Sequence, residues 1–88
     1  MATAYRVYVL QNREDRFYIG LTEDVPRRID QHNSGGSRWT KGKGLWALRW
    51  QSELLSLSAA RKLENRLKRQ GGGSGFYSIT GLKRKPGS

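Results

Sequence analysis

Apolar residues form two short runs near the start of the chain, Val7-Tyr8-Val9-Leu10 and Phe17-Tyr18-Ile19-Gly20. The polar stretch Asn12-Arg13-Glu14-Asp15 separates them, so residues 5–10 and 16–21 predict a β-hairpin. Because side chains alternate along a strand, Tyr8 and Tyr18 can face the same side. Gly20 withholds a side chain where backbone or ligand must come close. The period then changes. Asp24 can cap a helix with Pro26 in its first turn, where the N–H has no intrahelical partner. That helix runs to about Gln31 or His32 and stops by Gly35-Gly36. Val25, Ile29 and His32 share one of its faces, with Arg28 beside them at i, i+4 spacing from His32. A third strand over 45–53 alternates Trp46, Leu48 and Trp50 toward one face, a core pattern. After a turn at 54–57, Ser58 caps a second helix from Ala59 to about Gln70, with Ala60, Leu63 and Leu67 as its apolar stripe. Gly71-Gly72-Gly73-Ser74-Gly75 reads as a flexible linker. Phe76-Tyr77-Ser78-Ile79-Thr80 is a short apolar run to which no helix is assigned, and Lys83-Arg84-Lys85 is a basic tail. The chain divides into a domain over 1–70 and a C-terminal extension over 71–88.

Composition narrows the partner. Seventeen Lys and Arg against seven Asp and Glu give a net charge of +10 in 88 residues. So basic a chain points to a polyanion, and to nucleic acid ahead of a membrane surface, since no basic helix has a broad apolar face. No apolar run approaches the roughly 18 residues that cross a bilayer, so a soluble protein is expected. The N-terminus lacks the apolar stretch of a signal peptide. Cysteine is absent, which excludes disulfides and thiolate zinc sites and fits a cytoplasmic location.

Several residues carry candidate chemistry. Arg28, on the inward side of a short helix, either snorkels to solvent or an aspartate, or holds a phosphate through its planar fork. His32 is the sole histidine, so an imidazole-rich metal site is not expected. Residues 34–44 form a basic Gly/Ser loop in which Arg38, Lys41 and Lys43 attract phosphate, while Trp39 either stacks on a base or packs in the core. The Gly and Lys spacing there fits no phosphate-loop motif. Glu64 is the one acid on the second helix. It either pairs with Lys68 or holds a divalent ion through oxygen.

Tyr18-Ile19-Gly20 stands in full for the second half of the signature of the GIY-YIG nucleases, which this chain resembles over about residues 5–69. The first half is degenerate in Arg6-Val7-Tyr8, with Arg where the family has Gly. The segment Asp24-Val25-Pro26-Arg27-Arg28-Ile29-Asp30-Gln31-His32-Asn33 is similar to the family's arginine and histidine helix, with Arg27 facing solvent. The loop is similar in its threonine, Thr40, and Ala60 to Lys68 is similar to the glutamate helix. The resemblance implies an α+β fold, a three-stranded antiparallel sheet flanked by helices. It implies a catalytic set of Tyr8, Tyr18, Arg28, His32 and Glu64, with Glu64 holding Mg2+ or Mn2+ and Tyr8 assisted by His32 as general base. Thr22, Asn33, Arg38, Trp39, Thr40, Lys41, Lys43 and Lys68 are the expected nucleic-acid contacts, and Gly20 is structural. The function implied is hydrolysis of DNA phosphodiesters by one divalent ion. The alternative is a non-catalytic nucleic-acid-binding module on the same fold. Single-stranded, nicked and branched DNA all stay open as substrates, and a protein partner could supply targeting.

Overall fold

The computed structural model describes residues 4–34, 45–70 and 74–82. In chain order these form β1 (Arg6–Gln11), β2 (Phe17–Thr22), α1 (Val25–Asn33), β3 (Ala47–Gln51), α2 (Leu57–Gln70) and α3 (Ser74–Thr80). The three strands make one antiparallel sheet in the order β2-β1-β3, so the fold is α+β with the hairpin as expected. Asn12 closes the hairpin. Its side-chain oxygen accepts from the Glu14 and Arg16 amides, each at 3.0 Å, an arrangement that replaces missing ladder bonds in a tight turn. Asp15, at φ 63°, takes the left-handed position that aspartate tolerates.

β1 reads as four consecutive apolar residues because both of its faces are covered. Val7 and Val9 pack with Ala60 and Leu67 of α2 and Phe76 of α3. Tyr8 and Leu10 face the other way, with Val25 and Ile29 of α1 and with Trp46. The α2 stripe of Ala60, Leu63 and Leu67 lies on the first of these clusters, as its spacing predicts. Ser52 ties β3's end to β1, accepting from the Val7 amide at 2.9 Å and donating to the Glu53 carbonyl at 2.8 Å.

Four sequence expectations change. Trp46, Leu48 and Trp50 do not share a face: Leu10 pairs with Leu48 while Val9 pairs with Trp50, so Arg49 is an extra residue in a β-bulge. Trp46 therefore packs on the α1 side and Trp50 on the α2 side. α2 starts at Leu57 and is capped by Ser56, whose hydroxyl accepts from the Ala59 amide at 3.2 Å, in place of Ser58. α1 extends to Asn33. The apolar run after the glycines is a helix, α3, and its Phe76 is fully buried in the core. Burying such a ring is worth about 1.5–3 kcal/mol, which holds a seven-residue helix too short to persist alone. Gly81, at φ 74°, ends it in the left-handed conformation common after helices.

Candidate active site

The geometry starts at Gly20. It pairs directly with Tyr8 across the hairpin, and a Cβ there would lie 2.6 Å from the Tyr8 hydroxyl oxygen. The bare backbone lets the Tyr8 ring lie across β2, carrying its hydroxyl toward α1. There the Tyr8 Oη lies 3.0 Å from His32 Nε2, and the Arg28 Nε–H donates to it at 3.4 Å. Accepting from Arg28 leaves the phenol proton free to be donated to Nε2, an arrangement that requires the imidazole to carry its own proton on Nδ1. Tyr18 completes the group with its ring edge on His32 at 4.5 Å between centroids and 6.2 Å from the Tyr8 ring. Arg28 also reaches Tyr18, and its Nη1–H donates to Gln31 Oε1 at 2.8 Å. One turn of α1 delivers both the guanidinium and the imidazole because they are four residues apart.

Burial sets the protonation states. It pushes the Tyr8 phenol up to about 12, reinforced by the Tyr18 and Glu64 charges and opposed by Arg28. It lowers the His32 imidazole below its ordinary value, and the neighbouring Arg28 cation lowers it further. Tyr8 is thus a phenol and His32 a neutral base at pH 7.

Glu64 approaches from α2. Its side chain is 18% exposed and pairs with Lys68 at 3.3 Å, and its charge reaches Tyr8. Arg61, Glu64 and Lys68 fall at i, i+3 and i+7, one stripe of the helix. Arg61 acts on Tyr5, and Lys68 lines a groove of about 410 Å³ with Phe17, Tyr18 and Ile19. A second groove of about 640 Å³ lies beyond Gly20, lined by Leu21, Thr22, Glu23, Tyr5 and the α1 residues Arg27, Arg28 and Gln31. The α2 stripe thus follows the outer edge of β2, with the glutamate opposite its middle.

Thr22 lines the second groove, and its hydroxyl accepts from the Asp24 amide at 3.2 Å, shaping the corner into α1. Asn33 is committed elsewhere: its Nδ2 donates to the Trp46 carbonyl at 3.0 Å and its Oδ1 accepts from the Trp46 amide at 2.7 Å. That pair of bonds fastens the end of α1 to the approach of β3. Arg27 is exposed, and Arg6 donates to the Ser52 carbonyl at 2.6 Å, toward β3 and away from the Tyr8 hydroxyl. Arg38, Trp39, Thr40, Lys41 and Lys43 lie outside the described residues. Sequence reasoning missed Gln31, whose only signal was its i+3 spacing from Arg28, and the clamp made by Asn33. Among the described residues no three His, Asp or Glu side chains gather as a metal cluster, and no helix is long and apolar enough to cross a membrane.

A hairpin that presents two tyrosines to an arginine and a histidine on the next helix is the framework of one family. Residues 4–75 match the GIY-YIG catalytic domain model, and the chain belongs to that family. Among its relatives, a UPF0213 protein of Vibrio campbellii is 41% identical over 61 residues, covering 68% of this chain and 59% of the relative. One from Aeromonas hydrophila is 40% identical over 70 residues, covering 78% and 52%. One from Halobacterium salinarum is 37% identical over 65 residues, covering 73% and 84%. The chain spans between half and three fifths of the length of the first two. No solved structure matches it.

Proposed function

We propose that this protein is a DNA endonuclease that hydrolyses phosphodiester bonds with one divalent ion, Mg2+ or Mn2+. The observation that carries the reading is the Tyr8 hydroxyl held between His32 and Arg28 above Gly20. With its pKa near 12, roughly one Tyr8 in 10⁵ is phenolate at pH 7, so Tyr8 alone is a poor base. Neutral His32 removes that obstacle. As Tyr8 takes a proton from water, it gives its own to His32 Nε2, and no free phenolate accumulates. Arg28 has five N–H groups, and those not engaged by Tyr8, Tyr18 and Gln31 grip the non-bridging phosphate oxygens. Tyr18 orients the water or phosphate from the other side.

Glu64 is the residue that fits the ion. It is a hard oxygen donor at the rim of the tyrosine group, and Mg2+ accepts one carboxylate with phosphate oxygens and waters filling the rest. Bound there, the ion supplies positive charge at the phosphate and the leaving oxygen. Lys68, long and half exposed, can leave the carboxylate for a phosphate. Thr22, Arg38, Trp39, Thr40, Lys41, Lys43 and Lys68 are the nucleic-acid contacts in this reading, while Asn33 is taken up by its two bonds to Trp46. A cysteine-free chain suits the cytoplasm, and a protein partner would supply targeting.

The competing reading, a binding module without catalysis, draws on Arg6 standing where the signature has glycine. Because Arg6 turns to Ser52, that departure does not reach the reacting groups. The deciding experiment is cleavage of labelled single-stranded, duplex and branched DNA with and without Mg2+ or Mn2+, beside a folded Glu64→Ala control. Metal-dependent product that the variant fails to make supports the nuclease. Salt-sensitive binding with no product on any DNA would overturn it in favour of the binding module.

A further inference from the structure

The groove of about 640 Å³ beyond Gly20 is lined by both Arg28 and Tyr5, and its volume falls within the ~300–1,000 Å³ range of small-ligand pockets. Its lining differs from the rest of a chain with a net charge of +10. Glu23 and Asp24 offset Arg27 and Arg28, two against two, so its walls carry no net formal charge. Such walls do not favour a phosphate. They suit a neutral, planar group with N–H donors beside the phosphate that Arg28 grips. Part of the polar lining already serves the fold. Asp24 caps α1 by accepting from the Arg27 amide at 3.1 Å, Gln31 accepts from Arg28, and Thr22 accepts from the Asp24 amide. Glu23 serves no cap: it is exposed, and its partner is the hydroxyl of Tyr5, the aromatic residue of the groove. A carboxylate has about four acceptor positions, so Glu23 can take two further N–H groups. Tyr5 and Leu21 supply the apolar surface on which a ring can lie.

We propose that this groove is a base-reading subsite, where an unstacked base beside the scissile phosphate lies on Tyr5 and presents its Watson–Crick edge to Glu23. The base selected is guanine. Its N1–H and N2–H₂ are two adjacent donors that match one carboxylate, whereas adenine and cytosine put a ring-nitrogen acceptor there and thymine has a single N–H between two carbonyls. The inference rests on the nuclease reading for the path of the DNA past Arg28.

The test is metal-free fluorescence anisotropy with short oligothymidylates carrying one guanine, inosine or adenine. Inosine lacks only the N2 amine. The wild-type protein should bind the guanine oligonucleotide roughly tenfold more tightly than the other two. Glu23→Gln should erase that preference without weakening binding to the adenine oligonucleotide, and Tyr5→Leu should weaken all three. Equal affinity of the wild-type protein for guanine and inosine, or a preference that survives in Glu23→Gln, would overturn the subsite. Adding Mn2+ to the same samples separates the two claims. Guanine preference without cleavage rejects the nuclease alone, and cleavage without guanine preference rejects the subsite alone.

Discussion

A methyl group on Gly20 would stand 2.6 Å from the Tyr8 hydroxyl oxygen and 2.8 Å from the ring carbon that bears it. Tyr8 is 1% exposed, so its rigid ring has no room to turn aside. Gly20→Ala should therefore cost about 1–3 kcal/mol in urea unfolding, the scale of an overpacked core, and lower the cleavage rate at least about a hundredfold by moving the hydroxyl. Tyr8→Phe keeps the ring and removes only the oxygen shared by His32 and Arg28. Its rate should fall by about 10²–10⁴ with the fold retained, and a near-wild-type rate would exclude Tyr8 from proton transfer. The protonation states also fix a pH profile. If Tyr8 acted alone as phenolate, the rate would rise tenfold per pH unit toward about 12. Relay to His32 instead gives a rate that falls as pH drops through the lowered His32 value and is level between pH 7 and 9. Stability follows the same sign. The folded state binds its His32 proton less readily than the unfolded chain, so the contribution is present above about pH 6.5 and declines as pH falls through the native value.

At the scale of elements, two attachments hold the helices in register with the sheet. Asn33 occupies both backbone groups of Trp46, and Asn33→Ala would leave that strand approach without its helix partner. A loss of about 1–3 kcal/mol is expected in the urea midpoint, with Asn33→Asp partly retaining the acceptor half. Phe76 anchors α3 against Phe17 at 5.0 Å between rings and against the α2 side of the core. Phe76→Ala should cost about 3–5 kcal/mol, a large share of the stability of so small a domain. What the chain itself reveals divides along the same line. The hairpin, α1 with its Asp24 cap and Pro26, and the stripe of α2 were legible because their signals are local periods and caps. That Arg28 and His32 neighbour each other on α1 followed from their spacing, whereas their meeting on Tyr8 was an expectation of the family resemblance alone. The bulge at Arg49 was not legible, because it exists only relative to β1. Ser56 and Ser58 are equivalent caps by residue type, and packing decides between them. α3 was hidden because a seven-residue run behind glycines has no helical period of its own until Phe76 meets the core. Asn33 looked like a ligand contact because its partner lies 13 residues away.

For the whole molecule, a net charge of +10 and a single carboxylate among the basic residues of the α2 stripe let the binding and cleavage expected of the proposed nuclease be tested separately. If the protein is the proposed nuclease, its attraction to DNA comes from many cations, so log K should fall linearly with log salt, with a slope of about −0.7 per neutralised phosphate on single strands and −0.9 on duplex. Lys68→Ala removes one such cation. It should make the slope shallower by about one such increment and weaken binding alike on all sequences. Glu64→Ala acts in the opposite sense on binding, since it deletes a negative charge and releases Lys68 from its 3.3 Å pair. Metal-free affinity should hold or rise while product disappears. Chelating the ion in the wild-type protein should reproduce that pattern, with cleavage abolished and the salt slope unchanged. If Glu64→Ala weakened metal-free binding as Lys68→Ala does, Glu64 would be supporting the DNA surface, and its assignment as the ion's ligand would fall with it.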